Sequence, residues 1–317
     1  MMPDLSIAVV GAGVHGSRYA EHLLRGDVPG ARLAGVCRRS GSDAPRWTSR
    51  GVRFETDFSA LVDDPGVGAV VVASPPLLHE EHALAVLGRG KPLLLEKPVA
   101  PDAASCARIR AAAERAGVPV LVGHSHRYNP VVIAFREAVR ALGPLQGFAF
   151  SQGHERAPIP WQFERPGGGA LLCLGVHLAD LARWMTGSEI SPETCILDAA
   201  PGEAEGSARV MARTASGTPL AMDVSIAAPA RRGFLEARGD RGRVEGEFVR
   251  HELARIDGGT RTPIPLPPPR PGLVPLLGDF VGAIRGNGRG LAATLDDGIV
   301  AVAVVEGFHA IARHSPR

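Results

Sequence analysis

The sequence predicts an α/β protein of two domains: a doubly wound parallel sheet over residues 1–122, then an α+β domain with a mostly antiparallel open sheet over residues 123–317. Three observations predict this fold class. At 317 residues the chain exceeds the size at which one hydrophobic core usually stops growing. The first part alternates short apolar runs with helix-patterned segments, which is the order of a parallel sheet. The second part consists mainly of alternating apolar and polar residues joined by Gly and Asp turns, as in antiparallel strands.

Six apolar runs predict the strands of the first domain. Several of them are continuous and rich in Val and Leu, as is typical of strands that are buried on both faces. The segment 101–117 opens with Pro101 and Asp102 and closes at Gly117, which predicts a helix. The runs lie at residues 5–10, 32–37, 52–55, 68–73, 92–96 and 118–123.

The second domain begins with a predicted helix at about residues 130–141, followed by strands and hairpins. The proline-dense residues 263–275 predict an extended surface loop. Two helices, at residues 278–286 and 294–313, are expected to close the chain. Whether these closing helices pack back on the first domain stays open at this point.

The composition excludes several classes of protein. The net charge is +2 and basic residues are scattered, so we expect neither nucleic acid nor a membrane surface as partner. No run approaches the roughly 18 apolar residues of a membrane span, and the first residues do not resemble a secretory signal, so a cytoplasmic location is expected. The four cysteines lie far apart, which predicts reduced thiols.

A glycine motif follows the first predicted strand. Gly11, Gly13 and Gly16, with Val14 and His15 between them, form GAGVHG before a helical segment. In this context the glycines allow a tight turn and the approach of a pyrophosphate, whose charge is stabilised by the helix N-terminus. The sequence therefore predicts a Rossmann domain that binds a dinucleotide.

The residues after the second predicted strand bear on cofactor choice. An acidic residue there normally holds the ribose hydroxyls of NAD, but this chain has Arg38, Arg39 and Ser40. Guanidinium and hydroxyl donors attract a 2′-phosphate, so NADP is favoured over NAD. The alternative is that these arginines are simply solvated and cofactor choice is made elsewhere.

Lysine use singles out one segment. Of 35 basic residues only Lys91 and Lys97 are lysines, and both lie in GKPLLLEKP. Arginine cannot release its proton in a protein, whereas lysine can. Lys97 is therefore a candidate for proton exchange.

Three separated motifs, VVVASPPLLHEEH, GKPLLLEKPVA and GGGALLCLGVHLAD, resemble those of the Gfo/Idh/MocA family, which is named for glucose-fructose oxidoreductase and inositol dehydrogenase. The resemblance implies a Rossmann domain followed by an α/β domain whose open sheet forms a homodimer or homotetramer interface. It also implies that Lys97, with Glu96, lies beside the nicotinamide and the reacting oxygen of the substrate. Further residues that line the cofactor by resemblance are Ser74, Pro75, His79 and Arg127.

The third motif points to a second group of residues. By resemblance, His177 is the acid/base partner, while Cys173 stands where the family usually carries aspartate. Four residues separate them, so both are expected on one side of a helix, and Asp180, one turn beyond His177, is the available orienting group. Tyr128 and Trp161, with Gln162 and Arg165, are expected near the substrate.

No metal site is predicted, because the histidine pairs His79/His82 and His124/His126 each lack a third ligand. The sequence thus predicts an NADP-dependent dehydrogenase or reductase acting on the alcohol or carbonyl group of a sugar, cyclitol or related small polar substrate. Two alternatives stay open. One is a cofactor-binding regulator that has lost its chemistry, for which Cys173 is the main support, and the other is a redox-neutral glycosidase or epimerase.

Overall fold

The structure, a computed structural model, describes residues 3–156, 159–200 and 202–314. It divides into two compact units. Unit 1 comprises residues up to 125 together with residues 271–299, and unit 2 comprises residues 126–270 and those from 300 onward. The predicted first domain, residues 1–122, lies inside unit 1, which also includes a segment near the end of the chain.

A mostly parallel sheet forms the centre of unit 1. Among the described residues it has seven strands in the order β15-β6-β5-β4-β1-β2-β3, and only the β15–β6 pair is antiparallel. The first six strands coincide with the six predicted runs, which confirms the Rossmann-type sheet. Numbered along the chain, the strands are β1 (Leu5–Val10), β2 (Ala31–Cys37), β3 (Phe54–Glu55), β4 (Ala69–Val72), β5 (Leu93–Leu95), β6 (Val120–Val122) and β15 (Ala293–Thr294).

Helices connect these strands. The helix α5 starts and ends as predicted: the Asp102 carboxylate accepts a bond from the Ser105 N–H at 2.8 Å, and Gly117 ends the helix with a φ of +63°. The prediction that residues 263–275 form a loop is wrong at its end, because α8 already begins at Leu273. Pro275 is tolerated there, since the first turn of a helix needs few N–H donors. The helices are α1 (Gly16–Leu24), α2 (Ala44–Thr48), α3 (Ser59–Val62), α4 (His79–Gly88), α5 (Ala103–Ala116) and α8 (Leu273–Ile284).

A second sheet forms unit 2, and it is mostly antiparallel. Its nine strands within the described residues have the order β14-β13-β12-β11-β7-β10-β9-β8-β16, with β7–β10 and β8–β16 as the parallel pairs. This confirms the predicted fold class. The strands are β7 (Leu145–Gly153), β8 (Ile190–Leu197), β9 (Ser207–Thr214), β10 (Pro219–Ser225), β11 (Arg232–Gly239), β12 (Gly242–Glu247), β13 (Glu252–Asp257), β14 (Thr260–Pro263) and β16 (Ala312–His314).

The remaining helices are α6 (Pro130–Val139), α7 (Val176–Thr186) and α9 (Leu295–Ala310), and the division between the units falls inside α9. Along β9, buried Ala208 and Val210 alternate with exposed Arg209 and Met211, so the sheet of unit 2 has one covered and one open face. No helix among the described residues combines the length and apolar composition needed to cross a bilayer.

Candidate functional site

The glycine turn of unit 1 joins β1 to α1. A Cβ at Gly11, whose φ is +89°, would lie 2.3 Å from the Ser74 nitrogen, and one at Gly16 would lie 2.2 Å from the Gly11 oxygen. These two glycines are therefore required by the packing of the chain itself. Gly13 differs, because nothing lies within 4 Å of a Cβ built there, and the neighbouring Val14 is 75% exposed.

The turn fits the dinucleotide that the motif predicts. An open position at the second glycine is where the backbone of such a turn approaches a pyrophosphate, and α1 begins at Gly16 with its N-terminus at the same turn. The open space at Gly13 therefore leaves room for a bound pyrophosphate. The residues present fit a nicotinamide dinucleotide held by Gly11, Gly13, Val14, His15 and Gly16.

The turn is tied to the end of β5 through a buried carboxylate. Glu96 is 5% exposed, and its Oε1 accepts bonds from His15 at 2.9 Å and from the Tyr19 hydroxyl at 2.5 Å. Its Oε2 accepts a bond from the Lys97 N–H at 3.1 Å. Burial alone would raise the pKa of Glu96, but the charge and hydrogen bond of His15, the charge of Lys97 and the Tyr19 hydroxyl lower it to about 2. Glu96 is thus an anion that links the glycine turn to the half-buried Lys97.

Tyr19 and Gly123 were missed by the sequence analysis. Tyr19 lies four residues after His15, and that spacing could have indicated that the two side chains share a face of the helix. Their rings pack edge to face with centroids 5.6 Å apart. A Cβ at Gly123 would come within 2.6 Å of Glu96, so this glycine leaves room for the carboxylate.

The loops after β4 and β5 are held together by His79, which is 1% exposed. One ring nitrogen bonds the Ser74 carbonyl at 2.8 Å and the other bonds the Pro98 carbonyl at 2.7 Å. Burial lowers the pKa of His79, and this effect exceeds the opposite effect of its hydrogen bonds to the Pro98 and Ser74 carbonyls, which raise the pKa. Ser74 is buried and its hydroxyl bonds His82 at 3.0 Å. The observed contacts of His79 are those of a residue that fixes the loops, and its role in lining the dinucleotide, like that of Pro75, stays a prediction.

The turn after β2 contains an acidic residue that the sequence analysis did not weigh. Arg38 forms an ion pair with Asp43, and Arg39 is exposed. The Ser40 hydroxyl accepts a bond from the Ser42 N–H at 3.4 Å and lies 2.8 Å from the Ser42 hydroxyl. The turn therefore offers two guanidinium groups and hydroxyls beside one carboxylate.

A second group of predicted residues lies in unit 2. Arg127 donates Nε and a terminal nitrogen to the two oxygens of Asp180, at 2.9 and 2.5 Å. The pair is almost fully buried, at 4% and 1% exposure, and the Arg127 guanidinium lies 5.7 Å from the Trp184 ring centre. Tyr128, which was expected near the substrate, is only 2% exposed. Both oxygens of Asp180 are thus engaged by Arg127.

The segment that carries Cys173 and His177 differs from the expected regular helix. Leu171–Gly175 is π-helical and α7 begins only at Val176. The expectation of one regular helix through both residues is therefore wrong, because the turn that contains Cys173 is wider than an α-turn. That the two side chains share one side of the helix stays a prediction. Both residues are buried, at 3% and 5% exposure.

His177 lies against a ring that the sequence analysis had considered only for metal binding. The His126 and His177 rings stack with centroids 4.1 Å apart and planes inclined by 21°. His126 also lies 2.8 Å from the Gln152 amide and 5.1 Å from the Phe248 ring centre. Neither Gln152 nor Phe248 lies in a recognisable motif, so only the three-dimensional structure brings them together with His126.

The glycine run Gly167–Gly169 precedes the π-turn and packs on a buried carboxylate. A Cβ at Gly169, whose φ is +107°, would lie 2.6 Å from both oxygens of Glu205. Glu205 is fully buried and accepts bonds from the Leu171 N–H at 2.9 Å and from Arg165 at 2.6 Å. Burial would raise the pKa of Glu205, but His309, the Leu171 N–H and Arg165 lower it. The guanidinium of Arg165 thus contacts Glu205. The side chain of Trp161 is half-buried, and its backbone carbonyl oxygen would lie only 2.3 Å from a Cβ at Gly168, so that position also requires glycine.

Possible metal ligands and the cysteines are the remaining groups that could form a site. Among the described residues there is no cluster of three or more His, Cys, Asp or Glu side chains that could hold a metal ion. All four cysteines lie in the described ranges, are buried and form no disulfide. Burial and the carboxylates of Asp57 and Glu55 raise the pKa of the Cys37 thiol to about 11.

Comparisons with known proteins agree with this architecture. The family model "Oxidoreductase family, NAD-binding Rossmann fold" matches residues 5–124, and "GFO/IDH/MocA C-terminal domain" matches residues 134–245. Inositol 2-dehydrogenase 2 of Saccharopolyspora erythraea is 34% identical over 196 residues, which is 60% of this chain and 56% of that protein. An inositol 2-dehydrogenase of Streptomyces avermitilis is 34% identical over 200 residues, 61% of this chain and 56% of the relative.

Solved structures share the fold over nearly the whole length. KijD10, a 3-ketoreductase from Actinomadura kijaniata in complex with TDP-benzene and NADP, has a TM-score of 0.86 at 21% identity and covers 99% of this chain and 100% of its own. The aldose-aldose oxidoreductase of Caulobacter crescentus, complexed with glycerol, has a TM-score of 0.84 at 22% identity, with 97% of each chain covered. With family models matched to both parts of the sequence, the chain belongs to the Gfo/Idh/MocA oxidoreductase family.

Proposed function

We propose that the chain is an NADP-dependent oxidoreductase that interconverts a carbonyl and an alcohol on a sugar, a cyclitol or a related small polar substrate. One observation carries the proposal. The glycine turn and Lys97 are linked within unit 1 by the buried Glu96, which bonds the side chain of His15 in the turn and accepts a bond from the backbone N–H of Lys97. A cofactor turn and a candidate proton donor are thereby part of one hydrogen-bonded assembly.

The preference for NADP rests on Arg38, Arg39 and Ser40. A guanidinium has five N–H donors, so Arg38 can keep its ion pair with Asp43 and still donate to a 2′-phosphate. The exposed Arg39 adds a second positive charge at the same turn. The negative charge of Asp43 opposes a phosphate, and this sets a limit to the preference that the two arginines produce.

Lys97 is assigned the role of hydrogen-bond or proton donor to the reacting oxygen of the substrate. When bound, the nicotinamide supplies hydride to the carbonyl carbon or takes it from the alcohol carbon. The Lys97 ammonium donates a hydrogen bond or a proton to the oxygen on which negative charge develops. Glu96, whose pKa is lowered to about 2 in part by the charge of Lys97, keeps a negative charge near this residue.

His177 is assigned the acid/base role in unit 2, with Cys173, Tyr128 and Trp161 as residues of the substrate pocket. Asp180 was expected to orient His177. Because both Asp180 oxygens accept bonds from Arg127, we propose that its influence on the reaction includes fixing this guanidinium. The placement of Arg127 near the nicotinamide remains part of the proposal.

Substrate class and assembly rest on relatives and on the open face of the sheet. The matched relatives are named for inositol, and structural neighbours are named as sugar-converting enzymes, which supports a polyhydroxylated small molecule. On the open face Ile196 and Met211 are 47% and 40% exposed, beside a groove that Ala221 and Phe234 also line. Apolar exposure of this kind supports a homodimer or homotetramer through the sheet, with neither nucleic acid nor membrane as partner.

A cofactor-binding regulator without turnover is the second candidate, and Cys173 favours it. Cys173 is buried, and its thiol replaces the carboxylate that His177 would otherwise have. Unit 2 could therefore bind a ligand without turning it over. The test that separates the two functions is a panel of keto-sugars and cyclitols, supplied with NADPH or NADP and followed at the nicotinamide absorbance.

Lys97→Ala provides the sharper version of the test. Turnover of any panel substrate should fall about 10²- to 10⁴-fold, because a positioned proton donor is removed, while NADPH affinity stays within about threefold. Lys91→Ala is the matched control: Lys91 lies in the same segment, but its Nζ bonds the Asp64 carbonyl at 2.6 Å, and its variant should keep wild-type turnover. Brisk turnover by Lys97→Ala would remove Lys97 from the mechanism, and no turnover by the wild type on any substrate would favour the regulator.

A further inference from the structure

The His126 ring, stacked on His177, has no part in the function assigned so far. We propose that His126 is a positioning residue for the acid/base step, and that the stacked pair His126/His177 holds a single exchangeable proton. The inference rests on the proposed function and deepens it, because it names the group that prepares His177 for proton transfer.

The geometry favours a pair that acts together. The rings are 4.1 Å apart and inclined by only 21°, and Phe248 contacts His126 with its ring centre 5.1 Å away. Phe248 is itself fixed: its carbonyl accepts a bond from the Asn129 amide at 3.2 Å, and its ring would be struck by a Cβ at Gly233. His126 is therefore confined by elements on two sides, and His177 is confined through it.

Charge limits the pair to one proton. Two imidazolium rings at this distance repel each other, since like charges disfavour the charged form of both groups. A neutral ring stacked on a charged one, by contrast, presents a π-face to a cation, which is attractive. A proton that enters the pair is thus stabilised on one ring and excluded from the other.

Gln152 can support His126 with or without that proton. The amide nitrogen lies 2.8 Å from His126 Nε2 and donates to the neutral ring. Rotation of the amide by half a turn would present Oε1, which accepts from a protonated Nε2. Gln152 is 9% exposed, and Oε1 has no hydrogen-bond partner among the residues that the structure describes, so this rotation gives up no bond of Oε1. A carboxylate in the same place would hold His126 permanently charged, and an amide does not.

Charged residues that lie close to the pair along the chain have partners of their own. Arg127, next to His126 in the chain, and Asp180, one turn from His177, are paired with each other. Glu247, the last residue of β12 and the neighbour of Phe248 in the chain, accepts hydrogen bonds from the N–H groups of Gly233 and Val249. In oxidation the substrate O–H bond breaks and its proton binds the lone pair of a ring nitrogen of His177. A bound nicotinamide would take the hydrogen of the alcohol carbon, with both electrons of the C–H bond, as hydride.

The decisive experiment is a histidine titration by NMR on the ligand-free protein. In the wild type, the pair should bind its first proton in one step and a second proton only at a pH at least about one unit lower, so that a single proton is held between the two steps. In His126→Phe, which keeps an aromatic ring but has no ring nitrogen, His177 should titrate in one step at a shifted pH. Identical His177 titrations in wild type and His126→Phe would overturn the proposal.

Kinetics supply a second measurement. His126→Phe should lower kcat at least about tenfold with KM little changed, and should shift the limb of the pH profile assigned to His177. Gln152→Leu should shift the same limb, whereas Gln146→Leu on the same strand, where Gln146 bonds the exposed Asp240, should not. If Gln152→Leu and His126→Phe leave the profile unchanged, the proposal fails. Coupled titrations in a protein that turns over no substrate would support the pair while contradicting the proposed function.

Discussion

Two glycine-rich turns, one in each unit, have the same composition for opposite physical reasons. At Gly13 in unit 1 a Cβ would meet nothing within 4 Å, whereas in unit 2 a Cβ at Gly168 or Gly169 would meet protein atoms at 2.3 and 2.6 Å. The second turn is therefore glycine-rich because the protein fills the space itself. The middle of the first turn is open, which leaves room for a bound dinucleotide.

Both turns are fixed by a buried glutamate, but through different atoms. Glu96 bonds two side chains, that of His15 in the turn and that of Tyr19 in α1, so it ties the turn to the helix that follows. Glu205 bonds the Leu171 N–H and the side chains of Arg165 and His309, so it holds the start of the π-turn in place. The difference teaches that a glycine motif marks a close approach, but does not say whether ligand or protein makes it.

The largest expected effect is on unit 2. Gly169→Ala forces a side chain onto a backbone with a φ of +107° and into the Glu205 carboxylate, and should lower the free energy of unfolding by about 4 kcal/mol. Gly13→Ala, the same chemical change at an open position, should alter it by less than about 1 kcal/mol. Urea unfolding measures both. Equal losses in the two variants would show that the turns do not differ as described.

The next effect concerns Glu96 and pH. Its pKa is lowered from 4.5 to about 2 in the folded protein, so its stabilisation is fully present above pH 4.5 and is lost as the pH falls toward 2. At 1.4 kcal/mol per pH unit this corresponds to roughly 3 kcal/mol. Glu96→Gln should therefore be less stable than wild type at pH 7, and the gap should close between pH 4.5 and 2.

Glu193→Gln is the control for that comparison, because the Glu193 carboxylate pairs with Arg213 at the surface. Its stability should change by less than about 1 kcal/mol at any pH. A gap between Glu96→Gln and wild type that stays constant from pH 7 to pH 3 would indicate that Glu96 acts through packing and not through its charge.

The sequence predicted those features that depend on neighbours along the chain. The six strands of unit 1 and the helix from Asp102 to Gly117 follow from local periodicity and capping, and GAGVHG is recognised because strand, turn and helix are consecutive. Residues brought in from afar were not predictable. Along the chain, Glu205 lies 34 residues from Leu171, whose N–H donates a hydrogen bond to it, and Gln152 lies 26 residues from His126, which it contacts. Strand β8 was also missed, because Pro192 and the polar residues around it obscure the alternation of apolar positions.

The same distinction explains the outcome at Cys173 and His177. Their motif correctly indicated a helix, but the π-turn at Leu171–Gly175 depends on Glu205, whose carboxylate accepts the Leu171 N–H and lies beneath Gly169. Spacing rules for a regular helix cannot anticipate such a widening. The roles of the two residues accordingly remain proposals that rest on chemistry rather than on the motif's spacing.

The most direct test of the account is calorimetric titration of the wild type and of Gly13→Val with NADPH and NADH. The account predicts that NADPH binds the wild type at least about tenfold more tightly than NADH, because Arg38 and Arg39 donate charge-assisted bonds to the 2′-phosphate. It further predicts that Gly13→Val, while changing the free energy of unfolding by less than about 1 kcal/mol, weakens both ligands at least about tenfold by filling the open position. Tighter binding of NADH would contradict the cofactor choice, and unchanged affinities in Gly13→Val would contradict the claim that the first glycine turn is open for a dinucleotide.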